Sequence, residues 1–113
     1  MAKIRFQTPS GMHDILPSEQ KFFKKIYSVV DNIAGFYGFS KIDTPLLKDA
    51  DIFLKGVGAS TDVVQKEMYI LKTKGGDTLA LRPEGTASIA RAYIEHGMAF
   101  KPQPVKLYYY GPF

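Results

Sequence analysis

The sequence contains no cysteine. Disulfide bonds, thiolate catalysis and cysteine metal sites are therefore excluded. It also lacks any apolar run approaching the roughly 20 residues that a membrane-spanning helix needs. The first residues are charged and no apolar stretch follows them, so they do not read as a signal peptide. These absences favour a cytoplasmic protein with no membrane partner.

The excess of positive over negative charge is small as well. Fifteen Lys and Arg residues oppose eleven Asp and Glu residues, giving a net charge of +4 and a pI near 9.3. The basic residues form no long run, so nucleic-acid binding is less favoured than an ordinary solvated surface. Hydrophobic residues make up 45% of the chain, which argues against disorder. A length of 113 residues allows one domain at most.

Several familiar site motifs are incomplete or missing. Residues 56–58 (Gly-Val-Gly) open like a dinucleotide fingerprint, but Thr61 stands where the last glycine belongs. A flexible surface loop is the favoured interpretation, and no GK[ST] phosphate loop is present. His13 and His96 are far apart and belong to no HExxH pair. Surface or capping roles are favoured over catalysis for both histidines.

Two further groups of polar residues favour ordinary structural roles. Asp49 and Asp51 cannot face the same way on a helix, so no metal pair is predicted there. Tyr108, Tyr109 and Tyr110 could stack on bases, as exposed aromatic residues do in single-strand binders. On a strand, however, Tyr109 points away from the other two, so packing is favoured over stacking.

Helical periodicity is clearest between Ser18, the predicted N-cap, and Gly38, the predicted left-handed end. The apolar face of this helix is broad enough for more than one neighbour. Its main stripe consists of Phe22, Ile26, Val29, Ile33 and Tyr37.

The rest of the chain alternates between short strands and helices. A hairpin is predicted where two short apolar segments flank a Gly-Gly turn. The economical fold class is α+β, with helices and an antiparallel sheet. The predicted elements are a strand over 39–44 closed by Pro45, a helix over 46–55, a hairpin of 68–71 with 78–81, a helix over 87–96 and a strand over 105–110.

Residues 82–86 form a charged turn between a strand and a helix. Such junctions collect ligand-binding groups because loops are held in place by rigid elements. Glu84 and Thr86 can present a carboxylate and a hydroxyl to one point, which suits a small cation such as an α-ammonium group. The alternative is structural: Glu84 pairs with Arg82 or caps the helix, and Thr86 serves as N-cap. The residues alone leave both possibilities open.

Four segments, residues 11–17, 61–69, 78–86 and 107–113, closely resemble the catalytic core of histidyl-tRNA synthetase. The resemblance covers essentially the whole chain. It implies a class II aminoacyl-tRNA synthetase, whose antiparallel sheet is flanked by helices. Such an enzyme joins histidine to ATP as an adenylate, using Mg²⁺, and then transfers the histidine to its tRNA.

The resemblance also implies roles for particular residues. Glu84 and Thr86 match the positions that hold the histidine α-ammonium group, and Arg82 is expected to support the loop. The helix from Ser18 to Gly38 and the segment ending at Pro45 look like motif 1, which forms the homodimer interface in this class.

The match stops early in the second motif of the class. Residues 1–113 are expected to be the N-terminal portion of the catalytic domain, comprising motif 1 and the start of motif 2. The phosphate-binding arginine, motif 3 and the anticodon-binding domain would be missing. No catalytic residue and no metal ligand is assigned. Two alternatives remain: the synthetase-like regulatory subunit of ATP phosphoribosyltransferase, and a small basic nucleic-acid-binding module.

We expect the purified 113-residue chain to show no histidine-dependent exchange of pyrophosphate into ATP. Adenylation needs cationic groups aimed at the charge that develops on the α-phosphate, and no residue here is assigned to that task. A radiolabel exchange assay measures this directly, and robust exchange would refute the expectation.

Overall fold

The chain divides into two compact units, Met1–Gly38 and Phe39–Phe113. A computed structural model describes residues 6–52 and 68–113 of it. The predicted loop over 56–61 and the matched segment 61–67 lie outside the described residues. The α+β fold class is confirmed, because both units together contain helices and a small antiparallel sheet.

The first unit is built on one long helix, α1, which spans Pro17–Phe36. The helix ends where predicted, since Gly38 adopts a left-handed φ of 75° that is unstrained for glycine. None of its residues is buried. Its main apolar stripe is largely exposed, with Phe22, Ile26, Val29 and Ile33 between 42% and 60% accessible.

The predicted N-cap of α1 was wrong. The cap is Leu16, and Ser18 lies inside the first turn. Pro17 occupies the first helical position, where its missing N–H is no loss and its fixed φ suits the helix. The carboxylate of Glu19 accepts a hydrogen bond from the Leu16 N–H at 3.0 Å, so the acidic residue replaces the hydroxyl as the capping group.

The second unit contains a three-stranded antiparallel sheet. Its strands are β2 (Leu47–Asp49), β3 (Ile70–Lys72) and β4 (Thr78–Leu81), and their order in the sheet is β2–β4–β3. The predicted hairpin is confirmed: Leu71 pairs with Leu79, and the turn is closed by the Thr73 N–H donating to the Asp77 carbonyl at 2.9 Å. This hairpin delivers the end of β4 to the candidate site.

The helix predicted over 46–55 was wrong in its first half. Residues 47–49 form strand β2, which pairs antiparallel with β4, while residues 50–52 are helical. Pairing with β4 supplies backbone hydrogen bonds that cannot be predicted from the local sequence. Asp49 then marks the change of structure, since its carboxylate accepts from the Asp51 N–H at 2.9 Å.

Two other strands are shorter than predicted and run parallel. β1 (Ser40–Lys41) pairs with β5 (Leu107–Tyr108), so the pair departs from a purely antiparallel arrangement. Tyr108 and Tyr110 lie 6.3 Å apart by ring centroids, and both are half-buried. Tyr109 faces elsewhere, as the alternation of a strand predicts.

Helix α2 (Thr86–Glu95) follows β4 after a short turn, close to its predicted bounds. A single helical turn of 3₁₀ type, Met98–Phe100, comes next, after Gly97 in a left-handed conformation. Ala80 of β4 is fully buried and forms a small cluster with the buried residues Ala50 and Met68. Ala87 of α2 packs against this cluster. This small core fixes the angle at which α2 leaves the sheet.

None of the helices within residues 6–52 and 68–113 combines the length and the apolar composition needed to cross a lipid bilayer.

Candidate functional site

The turn at 82–86 is an extension of the central strand. Past the end of β4, the Arg82 N–H still donates to the Leu46 carbonyl at 3.0 Å. Pro83 has no N–H to continue the ladder, so the chain leaves the sheet there. Gly85 serves as the N-cap of α2. The sequence thus places one carboxylate, Glu84, between the strand and the first turn of a helix.

The carboxylate of Glu84 is held by the backbone of α2. One oxygen, Oε2, accepts a short hydrogen bond from the Thr86 N–H, and Oε1 accepts from the Ala87 N–H at 3.1 Å. Both N–H groups belong to the first turn, where a helix has no carbonyl partners of its own and carries partial positive charge. The helix-capping alternative therefore describes Glu84, although the N-cap residue is Gly85 and not Thr86.

Capping leaves part of the carboxylate available. An ionised carboxylate offers about four lone-pair sites, and the two backbone bonds use two of them. Glu84 is half-buried and Thr86 is exposed. Both line one open cleft of about 560 Å³, with the other walls formed by Ile52, Ala87, Ala90, Arg91 and Ile94. The structure therefore brings the two predicted site residues together.

The side chain of Arg82 contacts Thr44, Pro112 and Phe113. Its Nη1 donates to both the carbonyl and the hydroxyl of Thr44, at 2.9 and 3.0 Å, and its Nε donates to the Pro112 carbonyl at 3.0 Å. Its guanidinium also lies 4.5 Å from the centre of the Phe113 ring, within cation–π range. The predicted role of loop support remains a prediction, and these contacts are the geometry on which it rests.

Three polar residues of β2 and α2 were missed by sequence reasoning. Arg91 lines the cleft and forms an ion pair with Glu95, one helical turn away. Lys48 of β2 is buried, and this burial, with the charge of Arg91, lowers the pKa of the Lys48 ammonium. Ser88 is fully buried, and its hydroxyl has no hydrogen-bond partner among the described residues. In the sequence, these three residues are marked only by their spacing in a helix or strand, and that spacing is equally typical of a solvent-exposed face.

The other candidates from the sequence stay away from the cleft. His96 is the C-cap of α2, where its N–H donates to the Ala92 carbonyl at 3.0 Å, and His13 is exposed. The carboxylate of Asp49 accepts a backbone N–H. Within the part of the chain that the structure describes, no three His, Asp or Glu side chains come together as metal ligands would.

Arg82→Met should lower the free energy of unfolding by about 2 kcal/mol, because hydrogen bonds from a charged group are worth about 1.5–3 kcal/mol. Arg82→Lys should recover only part of this loss, since an ammonium cannot reproduce the planar fork. The exposed Lys101 provides a control, and Lys101→Met should change stability by less than about 0.5 kcal/mol. Urea unfolding measures all three variants. Equal effects of Arg82→Met and Lys101→Met would contradict the assignment of these contacts.

Comparison with known proteins identifies the family. A family profile described as histidyl-tRNA synthetase matches residues 11–113. The histidine–tRNA ligase of Dehalococcoides mccartyi is 50% identical over 104 residues, and that of Staphylococcus aureus 51% identical over 105. Each alignment covers 92% of this chain but 25% of the relative. The chain thus spans about a quarter of the length of these curated relatives.

Solved structures agree with the sequence comparison. The apo histidyl-tRNA synthetase of Staphylococcus aureus superposes with a TM-score of 0.81 at 40% identity, covering 96% of this chain and 29% of that one. A protein of Bacillus halodurans, described as an ATP phosphoribosyltransferase regulatory subunit/histidyl-tRNA synthetase, superposes with a TM-score of 0.77 at 31% identity. That alignment covers 95% of this chain and 27% of the Bacillus chain. On the matched residues and the shared fold, the chain belongs to the histidyl-tRNA synthetase family.

Proposed function

We propose that this chain supplies the amino-group site of a histidine–tRNA ligase. In such an enzyme, histidine reacts with ATP to form histidyl-adenylate, and the histidyl group is then transferred to tRNA. The observation that carries the proposal is the pairing of Glu84 and Thr86 on one cleft, at a turn held by the sheet. The family membership supports the choice of histidine as the amino acid.

Electrostatics favours an ammonium group at this position. The N-terminus of α2 would by itself repel a cation, because its free N–H groups carry partial positive charge. The full negative charge of Glu84 outweighs that partial charge, and the two backbone N–H groups fix the direction of the carboxylate. An ammonium has three donors, so it can reach a free lone pair of Glu84 and the hydroxyl of Thr86 at once.

Holding the amino group is a positioning task. An amino acid fixed at one end presents its α-carboxylate in a restricted set of directions, and such restriction can remove a large part of a reaction barrier. ATP, Mg²⁺ and tRNA complete the proposed reaction. The described residues offer no cluster of three metal ligands, and Mg²⁺ is usually bound through one or two carboxylates together with substrate phosphates.

The organisation of the chain follows the same proposal. Residues 1–113 would contribute the first part of the catalytic domain: α1 and the segment ending at Pro45 as motif 1, and β5 as the start of motif 2. The setting would be the cytoplasm.

Replacement of Glu84 by Gln tests the amino-group site in the full-length protein expressed from the gene. We expect the KM for histidine to rise by about ten- to a hundredfold, which corresponds to the loss of one charge-assisted hydrogen bond. The KM for ATP should stay unchanged. Histidine-dependent pyrophosphate exchange measures both constants. Glu19→Gln makes the same chemical change on α1, where the Glu19 carboxylate accepts from the Leu16 N–H, and should leave both constants unaltered. An unchanged histidine KM in Glu84→Gln would overturn the proposal.

We also propose that a second copy of the protein covers the exposed stripe of α1, giving a homodimer. The proposal is supported by the exposure of the stripe. Four of its apolar residues are 42–60% accessible, and no residue of α1 is buried. Several large apolar residues exposed along one helix face are typical of a contact surface.

Ile33→Glu in the full-length protein should raise the dimer dissociation constant at least about tenfold, since burial of one isoleucine contributes roughly 1.5–3 kcal/mol. Asn32→Glu introduces the same charge at the neighbouring exposed position and serves as the control. Sedimentation equilibrium distinguishes the two. A wild-type protein that sediments as a monomer at high concentration would rule out the dimer.

A further inference from the structure

Gly85 is a glycine for reasons of space. Its backbone is right-handed helical, with φ −100° and ψ −23°, which any residue adopts easily. A Cβ placed on it would lie 2.2 Å from Cε2, 2.5 Å from Cζ and 2.7 Å from Oη of Tyr109. Contacts below about 3 Å are impossible for carbon atoms whose optimal separation is about 3.5–4.0 Å. The ring of Tyr109 therefore occupies the volume that any side chain at position 85 would need.

The same ring is connected to the other end of the turn. Tyr109 contacts Phe113 edge-on, with ring centroids 5.8 Å apart and an interplanar angle of 62°. Phe113 lies against the guanidinium of Arg82 at 4.5 Å, and Arg82 also binds the Pro112 carbonyl. The two ends of the turn, positions 82 and 85, are thus both in contact with one segment, residues 109–113. Edge-to-face aromatic pairs and cation–π contacts prefer particular geometries, so the segment also restrains direction.

Gly85 stands directly before the two N–H groups that orient Glu84. The Thr86 and Ala87 N–H groups donate to the two oxygens of the Glu84 carboxylate. A shift of Gly85 would move both donors together, and the carboxylate would turn with them. The Glu84 carboxylate is in this way coupled to a residue 25 positions later in the sequence that makes no hydrogen bond to it.

We propose that Tyr109 is a positioning residue for the amino-group site. Its ring packs on the open face of Gly85 and thereby holds the N-terminus of α2 and the Glu84 carboxylate in the orientation that accepts the ammonium group of an amino acid. This inference rests on the proposed function of Glu84. The role is assigned to the aromatic ring, because the two nearest contacts of a Cβ at position 85 are to the ring carbons Cε2 and Cζ.

The test uses the full-length protein and histidine-dependent pyrophosphate exchange. Tyr109→Ala should raise the KM for histidine by about tenfold, since a displacement of about 1 Å in a positioning group can cost up to a hundredfold. The KM for ATP should remain unchanged. Tyr109→Phe retains the ring and should behave as wild type. Tyr110→Ala removes the same side chain from the neighbouring residue, whose ring lies with Tyr108 instead, and should leave the histidine KM unaltered.

Gly85→Ala keeps the test decisive if Tyr109→Ala folds poorly, because this variant retains Tyr109. Gly85→Ala should raise the histidine KM because the new methyl group displaces the ring. In the double variant Gly85→Ala/Tyr109→Ala the clash is gone, so the combined effect should be smaller than the product of the two single effects. Circular dichroism and thermal unfolding establish which variants are folded.

A specific ligand separates positioning from general damage. For 3-(imidazol-4-yl)propanoate, which lacks the amino group, the inhibition constant should be the same in wild type and in Tyr109→Ala. Parallel rises in the KM values of histidine and ATP, or a Tyr109→Phe variant as impaired as Tyr109→Ala, would overturn the inference. If Glu84→Gln changes the histidine KM and Tyr109→Ala does not, this inference fails alone. If Glu84→Gln has no effect, the proposed function fails first.

Discussion

The guanidinium of Arg82 joins three parts of the second unit that are far apart in sequence. It binds Thr44 between β1 and β2, it belongs to the end of β4, and it binds Pro112 beyond β5. The three-stranded sheet and the parallel pair β1–β5 are two separate sheets. A bidentate or branched arginine contact fixes direction as well as distance, because its donors lie in one rigid plane. The turn at 82–86 begins at Arg82, so the position of this turn relative to both sheets depends on the contacts of the guanidinium.

Glu84 shows that a structural and a functional interpretation of one residue need not compete. A carboxylate with a single partner could rotate, whereas two backbone N–H donors on its two oxygens leave it one orientation. The helix gains a cap at its first turn, and the cleft gains a negative charge of fixed direction. The neighbouring positive groups are Arg91, which lines the same cleft, and Lys48 of β2, which is buried. Burial and repulsion by Arg91 lower the pKa of the Lys48 ammonium.

Local patterns in the sequence were sufficient for the elements whose interactions are local. The hairpin around Gly75 and Gly76, the end of α1 at Gly38 and most of α2 all follow from turn chemistry and helical period. Strand β2 was missed because its backbone partners lie 30 or more residues later, on β4. The meeting of Glu84 and Thr86 at one cleft could be predicted from residue types at a strand-to-helix junction. The partners of Arg82, and the ring of Tyr109 over Gly85, could not, since both depend on where the residues after β5 lie against the turn at 82–86.

The central claim is that the Glu84 carboxylate accepts the ammonium group of histidine. Calorimetric titration of the full-length protein with histidine and with 3-(imidazol-4-yl)propanoate, for wild type and for Glu84→Gln, measures this as a coupling between one ligand group and one side chain. The account predicts that wild type prefers histidine by at least about tenfold, equivalent to about 1.4 kcal/mol, and that Glu84→Gln loses most of this preference. The same preference in both proteins would contradict it.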